Sequence, residues 1–352
     1  MDINEIRQQL LQLENRDTVK LWFSKIHKRT LSTLRAKEIN SAAKQSAEFF
    51  RNAENATYTV RPLLTYYAIL SLSRALILLL RTSGGENTLV EGHGLKTLDW
   101  SGVLSGNDLN ENLKQIGGLK VQTCNGIFSE LIKETENRIS IHLNSSTVEW
   151  HVNYDMPDKG YVFTLDDLLS RIPDFQHDIA ALELNENYAV IKYKMSYSDD
   201  KGFYCEVSDN REDVVDAYHQ MGYTSVTSYN KCDLRCDAEI FKQKMPQFLH
   251  KYMHKSMGVI PSLYLIRPFD ETRRYSELAI VFLMSYYLGM LVRYYPTHWN
   301  ALVQGDNGDI YWPVLNRAQT YVEKVFPELV IELLNDMLQD KGFFQKIKTK
   351  LA

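Results

Sequence analysis

The sequence has few cysteines, glycines and prolines for its length. Four cysteines in 352 residues are too few and too scattered for a disulfide framework, so we expect reduced thiols. The 17 glycines and 9 prolines leave little room for disordered linkers.

One core typically takes about 100 to 200 residues. The chain is therefore expected to form two or three packed units, and a single compact unit is the alternative.

A strong positive charge is also lacking. The formal net charge of −4 and the pI of about 6.2 argue against a protein whose main role is to bind the phosphates of double-stranded nucleic acid. They do not exclude a local basic patch. The first residues, "DINEIRQQLLQLENRDT", lack the basic start and apolar core of a signal peptide. We therefore expect a cytoplasmic protein.

Several catalytic and nucleotide-binding motifs are missing. The sequence contains no G-x-x-x-x-G-K-[ST] or G-x-G-x-x-G, and no G-x-S-x-G or H-E-x-x-H. Nucleotide binding by those routes and two common kinds of hydrolase are thus unsupported. We predict no cofactor and no metal, and we leave open whether the chain is an enzyme.

The apolar pattern predicts a mainly α (α+β) protein, in which a helical core carries a β-rich insert. The N-terminal helical part spans 1–144, the insert spans 145–236, and the C-terminal helical part, 237–352, packs with the first. Runs such as "NYAVIKYKMSY" and "GFYCEVS" are rich in β-branched and aromatic residues. After 237 the chain looks helical again, from "DAEIFKQKMPQFLHKYMHK" onward.

The segment "RPLLTYYAILSLSRALILLLR", 61 to 81, predicts a buried helix with Pro62 in its first turn. It is almost long enough to cross a membrane. Arg74 inside it would cost about 2.5 to 3.5 kcal/mol at a bilayer centre, so a core helix is favoured and no membrane association is expected. In "TLDDLLSRIPDF", Thr164 is a candidate N-cap with Asp167 at the third helical position.

The motif "RYYPTHW" places Arg293 and His298 at the end of a second apolar segment. A neutral imidazole can move protons while a guanidinium holds a phosphate, which is how RNA can be cut without metal. Pro296 should end the helix at Tyr295 and let His298 fold back. The structural alternative is that Arg293 caps carbonyls or pairs with a carboxylate, while His298 packs beneath a corner.

Arg74 and His93 form a second candidate pair. Arg74 lies within the apolar helix, and His93 follows in "EGHGL". A buried arginine needs a carboxylate, phosphate or carbonyl partner. The pair is thus a candidate binding site, and a structural arginine bonded to the "GHG" loop is the alternative.

A basic and aromatic mixture follows residue 240. Mixtures of this kind bind single-stranded nucleic acid, and a solvated helix face is the alternative. Its basic members proposed for binding are Lys242, Lys244, Lys251 and Lys255, interleaved with Phe241, Phe248 and Tyr252.

Cys232, Cys236, His250 and His254 have the C-x3-C and H-x3-H spacing of a zinc site. Pro246 stands where a zinc finger needs an uninterrupted helix. Two ordinary thiols and two surface histidines are the alternative, and whether the four residues ever bind zinc is left open.

The stretches "RPLLTYYAILSLSRALILL" with "GHGL", and "SELAIVFLMSYYLGMLVRYYPTHW", resemble the YaaC-like family of bacterial proteins. That resemblance implies kinship without an activity. More distantly, the first run and the Arg293–His298 spacing look like HEPN proteins, helical domains of bacterial toxin and anti-phage systems. HEPN similarity implies a metal-independent ribonuclease whose two motifs meet across a dimer. We accordingly expect a protein partner or self-association, with RNA or single-stranded nucleic acid as a candidate ligand and a defence role as a candidate context.

Overall fold

The computed structural model describes residues 3–141, 150–208, 212–219, 222–228, 231–244, 248–250, 263–270, 273–305 and 308–339. By its contacts the chain divides into two units. The first contains residues 1–137, 158–168 and 278–338, and the second contains 138–157, 169–277 and 339–352. The mainly α (α+β) fold class is confirmed, while the bounds at 144/145 and 236/237 stay predictions.

The helices and strands follow one another in groups along the chain. The helices, in chain order, are α1 (Ile3–Leu10), α2 (Arg16–His27), α3 (Thr33–Asn55), α4 (Arg61–Leu80), α5 (Trp100–Leu104), α6 (Leu109–Lys114), α7 (Ile127–Glu134), α8 (Leu165–Leu169), α9 (Gln176–Ala181), α10 (Glu212–His219), α11 (Ala238–Lys244), α12 (Glu277–Tyr294), α13 (Pro296–Gln304) and α14 (Trp312–Gln339). The strands are β1 (His93–Leu98), β2 (Lys120–Gly126), β3 (Arg138–Ile141), β4 (Trp150–Asn153), β5 (Val162–Thr164), β6 (Tyr188–Ser198), β7 (Gly202–Ser208), β8 (Thr224–Ser228), β9 (Lys231–Cys236), β10 (Phe248–His250) and β11 (Leu263–Ile266).

All of the described strand pairs are antiparallel. In the first unit, three strands pair in the order β1-β2-β5. In the second, six strands pair in the order β10-β11-β6-β7-β9-β8, and β3 pairs with β4. Alternation along β7 buries Phe203, Cys205 and Val207, and Cys205 lies opposite Leu234 of β9. The β-rich texture of the sequence thus corresponds to the sheet of the second unit.

The expectation of continuous helix after residue 237 is wrong. Helix α11 ends at Lys244, and the next described element is the strand β10. Pro246 lies between the two in sequence, and proline disfavours helix because it lacks an amide hydrogen and its ring clashes with the preceding turn. The part of this segment beyond His250 lies outside the described residues until Leu263.

Helix α4 is buried along most of its length, as its sequence predicted. Pro62 stands in its first turn. Its internal hydroxyls are satisfied: Ser73 Oγ donates to the Ile69 carbonyl at 2.8 Å, and Thr65 Oγ1 donates to Glu323 Oε1 at 2.9 Å. Helices α4 and α12 both have the length and mean hydropathy of a membrane span, yet 72% and 89% of the relevant windows are buried inside the protein. Such burial is typical of core helices.

Two local sequence signals are confirmed. Thr164 Oγ1 accepts a hydrogen bond from the Asp167 amide at 3.1 Å, and the Asp167 carboxylate accepts one from the Thr164 amide at 3.0 Å. This reciprocal capping satisfies two amides at the start of α8. The break at Pro296 is also present, because α12 ends at Tyr294 and α13 begins with the proline.

A buried carboxylate joins α4 to α14 within the first unit. Glu323 is 9% exposed and accepts both ends of the Arg61 guanidinium. The same carboxylate accepts Thr65 Oγ1 and, at 2.8 Å, Gln319 Nε2. A buried charge is tolerated when it is paired and hydrogen-bonded in this way.

Helices α4 and α12 approach closely at Gly289. A Cβ placed on Gly289 would lie 2.8 Å from Cβ of Tyr66. Tyr66 is fully buried, with its ring against Phe282 at 6.2 Å and Tyr286 at 5.6 Å between centroids. Its backbone is therefore held at a separation from α12 that leaves room only for a hydrogen at residue 289.

Replacing this glycine tests the close approach. Gly289→Ala should lower the free energy of unfolding by about 1 to 3 kcal/mol through overpacking, although alanine itself favours helix by about 1 kcal/mol. Urea denaturation measures the change. Gly118→Ala is the matched control, because a Cβ at Gly118 meets nothing within 4 Å. Equal stability of both variants would show that the contact is loose.

Candidate functional site

Three elements of the first unit bring polar side chains together near the end of α12. Helix α4 carries Tyr66 and Tyr67, strand β1 begins at His93, and α12 ends with Arg293 and Tyr294. Since Gly289 precedes Arg293 by one helical turn, the close approach to Tyr66 brings the arginine toward the tyrosines. We call these five residues the Arg293–His93 cluster.

The His93 ring is oriented by Tyr66. The Tyr66 hydroxyl lies 2.6 Å from Nδ1 of His93, and the ring centroids are 5.5 Å apart. Burial raises the pKa of Tyr66 far above its usual value, so the hydroxyl keeps its hydrogen. This hydrogen bond has two forms: the hydroxyl donates to Nδ1 when the ring hydrogen is on Nε2, and Nδ1–H donates to the hydroxyl when the ring hydrogen is on Nδ1. In both forms Nε2 is the ring nitrogen that lies outside this bond.

Arg293 is an exposed cation beside that ring. Its Nη1 donates to the Tyr67 hydroxyl at 2.8 Å, and its guanidinium carbon lies 5.1 Å from the centroid of the Tyr294 ring. Across the residues that the structure describes, no carboxylate lies within ion-pair distance of this guanidinium. The Arg293 guanidinium is therefore available to bind an anion from solution.

The positive charge of Arg293 affects the pKa of His93. The pKa of His93 is lowered from its usual 6.5, first by burial and second by the positive charge of Arg293. His93 is thus neutral near pH 7. The structure brings Arg293 together with His93, although the two lie 200 residues apart in the sequence.

His298 is placed differently. It lies in the first turn of α13, half-buried, and a hydrogen bond joins it to the backbone of Leu104. Its Nε2 is buried and has no partner within the described residues, and its ring stands edge-on to Tyr295 at 5.9 Å. Burial lowers the pKa of His298, so this imidazole is also neutral near pH 7. No described contact joins it to Arg293, and catalysis by that pair stays a prediction.

Arg74 does not share the environment of His93. Its Nη2 lies 3.6 Å from Glu86 Oε1 in the loop before the "GHG" segment, and its side chain is 39% exposed. The arginine is therefore only partly buried, and a carboxylate of this loop is its ion-pair partner. Its role as a binding residue stays a prediction.

The basic and aromatic segment is only partly described. Lys242 and Lys244 lie in α11, while Lys251 and Lys255 lie outside the described residues. Phe241 is 1% exposed and stacks on Phe203 at 4.5 Å between centroids. This phenylalanine is therefore part of the core of the second unit and cannot offer its ring to a nucleic-acid base.

The cysteines of the C-x3-C spacing point into the second unit. Cys232 and Cys236 lie on one face of β9 and are both buried. Burial raises the pKa of Cys236 to about 11, which favours the thiol over the thiolate that binds zinc. His254 lies outside the described residues, and those that are described contain no group of three His, Cys, Asp or Glu side chains able to hold a metal.

These features define a mainly α protein with antiparallel sheets, whose first unit exposes an arginine beside a neutral histidine. The chain belongs to the YaaC-like protein family, whose model matches residues 11–334. The resemblance seen in the sequence is confirmed over nearly the whole chain. Comparison with curated proteins and with solved structures gave no match. Similarity to HEPN proteins stays a prediction.

The coupling between Arg293 and His93 can be measured by titration. Arg293→Gln should raise the pKa of His93 toward 6.5, because the protonated ring no longer faces a positive charge. NMR titration of the imidazole carbon-bound protons measures the shift. Arg74→Gln should leave this pKa unchanged, since Arg74 pairs with Glu86. An unchanged pKa in Arg293→Gln would show that the two side chains do not interact.

Proposed function

We propose that the first unit binds single-stranded RNA, with one phosphate held at the Arg293–His93 cluster. The observation that carries this proposal is the exposed Arg293 guanidinium, which donates to Tyr67 and leaves its remaining N–H groups for a ligand. Guanidinium groups are well suited to phosphate because several N–H donors lie in one plane.

The second donor supports an anionic ligand. The Tyr66 hydroxyl engages Nδ1 of His93, so Nε2 is the ring nitrogen left for a ligand. In the tautomer with its hydrogen on Nε2, this N–H would donate to one phosphate oxygen while the guanidinium donates to another. A carboxylate side chain in the cluster would compete with such a ligand, and none of the described ion pairs involves Arg293.

Tyr294 favours nucleic acid over a free anion. Its side chain is 58% exposed at the last position of α12, beside the guanidinium. An exposed aromatic ring next to an arginine can stack a base while the arginine holds the neighbouring phosphate, as in single-strand-binding proteins. The net charge of −4 means that attraction arises from this cluster and not from the chain as a whole.

The context of this function is part of the same proposal. Cytoplasmic RNA is the accessible form of such a ligand, which agrees with the expected cytoplasmic location. Self-association or a protein partner would supply further contacts, because one phosphate and one stacked base hold RNA weakly. Anti-phage defence, expected from the HEPN similarity, is one setting in which a bacterial RNA-binding protein acts.

Fluorescence anisotropy with a labelled unstructured RNA oligonucleotide tests the proposal. Arg293→Gln and Tyr294→Ala should each weaken binding by about tenfold, which corresponds to the ~1 to 3 kcal/mol of one stacked base or charged contact. Arg293→Gln should also reduce the slope of log affinity against log salt by roughly 0.7. Arg74→Gln is the control, because its arginine pairs with Glu86. Equal affinity of the wild type and all three variants would refute the site.

A metal-independent ribonuclease is the second candidate. It is supported by the exposed guanidinium of Arg293 and by the neutral imidazole of His298, five positions later, and it requires the buried Nε2 of His298 to become accessible to RNA. In this reaction the imidazole would take the proton of the RNA 2′-hydroxyl, whose oxygen attacks the adjacent phosphorus. The bond from phosphorus to the 5′-oxygen of the next nucleotide breaks, this oxygen leaves with a proton from the imidazolium or from water, and a 2′,3′-cyclic phosphate remains. Arg293 would stabilise the charge that develops on the phosphate.

Incubation of purified protein with RNA and EDTA tests this second candidate. Cleavage should be lost in Arg293→Ala and should fall by at least about 100-fold in His298→Ala, the contribution typical of a general base. Arg74→Gln should cut as fast as the wild type. Cleavage that persists in both Arg293→Ala and His298→Ala would point to a contaminating nuclease. RNA binding without cleavage would support the binding function and refute the ribonuclease.

A further inference from the structure

The first unit contains a cavity of about 150 Å³. Its wall comes from the N-terminal residues up to Glu14, from α3 and α4, and from α14. Most of this wall is apolar, and includes Ile6, Leu10, Phe50 and Leu72. Protein interiors are normally packed so closely that voids larger than a water molecule are few. A cavity of this size is therefore a feature to explain.

Small side chains leave the space open. Ala43 and Ala47 lie one turn apart on α3, so both face the cavity. Across from them, α14 contributes Pro327, which has no amide hydrogen to donate to the carbonyl of Glu323. A larger residue at either alanine position would occupy the volume.

The buried polar side chains of the wall already have partners. Ser46 Oγ donates to the Ala68 carbonyl at 2.8 Å. The Glu323 carboxylate is saturated by Arg61, Thr65 and Gln319. At the rim, Arg7 pairs with Glu54. Among the described residues, the buried part of the wall thus has no unpaired charged side chain to hold a charged ligand.

Size and polarity together identify the class of ligand. An enclosed cavity of roughly 150 Å³ lined by leucine, isoleucine and phenylalanine binds benzene. The cavity in the first unit has a similar volume and apolar lining, although it is partly open to solvent. We propose that this cavity is a binding site for a small neutral apolar molecule, such as a single aromatic ring or a short branched alkyl group. The site is separate from the Arg293–His93 cluster and does not depend on RNA binding.

The cavity is partly open to solvent, and the short helix α1 forms part of its wall. This helix has only 8 residues, and helices shorter than about 12 residues are marginal on their own. It is held by Ile6, which is 2% exposed, and by the ion pair from Arg7 to Glu54. Opening of α1 would admit a ligand without disturbing the core helices.

Toluene is a suitable probe. Calorimetric titration of the full chain with toluene should show saturable binding, and the thermal midpoint should rise with toluene concentration because ligand binds the folded state. Ala47→Leu and Ala43→Leu should each weaken this binding by at least about tenfold, since leucine fills the space. Lys44→Leu adds the same side chain to an exposed position of α3 and should bind toluene like the wild type.

Circular dichroism establishes that each variant is folded before binding is compared. The site is supported if the wild type and Lys44→Leu bind toluene saturably while folded Ala43→Leu or folded Ala47→Leu loses this binding. Absence of saturable binding to the wild type would overturn it. Unchanged binding in both Ala43→Leu and Ala47→Leu, or equal loss in Lys44→Leu, would also overturn it, because the ligand would then lie elsewhere.

Discussion

The geometry of the first unit depends on the contact between Gly289 of α12 and Tyr66 of α4. The missing side chain at Gly289 lets the two apolar helices touch, and the contact leaves no space for a Cβ. Arg293 lies one turn later on α12. Its guanidinium donates a hydrogen bond to the hydroxyl of Tyr67, the residue after Tyr66. The Tyr66 hydroxyl also orients His93. A single steric constraint therefore positions the cation, the aromatic residues and the imidazole.

Burial of two apolar helices also forces their polar atoms to find partners. At the C-terminal end of α4, Arg35 donates to the Leu78 carbonyl and His27 lies 3.0 Å from the Leu79 carbonyl. At the N-terminal end of α4, the Glu323 carboxylate accepts a hydrogen bond from the Arg61 guanidinium. Carbonyls at a helix end lack intrahelical partners, so these bonds replace water. The Arg293 guanidinium differs from these buried groups, since it faces solvent and has no carboxylate partner among the described residues, and this difference makes it a candidate site.

Local chemistry was predictable, while partners distant in sequence were not. The first turn of α4 with Pro62, the break at Pro296 and the capping by Thr164 each depend on neighbouring residues, and each is confirmed. The helix expected after 237 was wrong beyond Lys244, where Pro246 and the pairing of β10 with β11 outweigh helical composition. Arg293 was identified as a candidate by its place at the end of an apolar segment. His93 was also a candidate, but as the partner of Arg74, because no spacing rule connects residues on separate elements.

The sequence by itself determined the fold class, the reduced state expected of four cysteines, the two buried helices and the family, because periodicity, composition and motif are properties of neighbouring residues. Only the tertiary structure decided which side chains meet. It placed Arg293 rather than Arg74 near His93, buried Nε2 of His298, and opened a cavity beside two alanines. The physical reason is that a contact between elements depends on the distance at which they pack, and that distance is set jointly by side chains far apart in the chain.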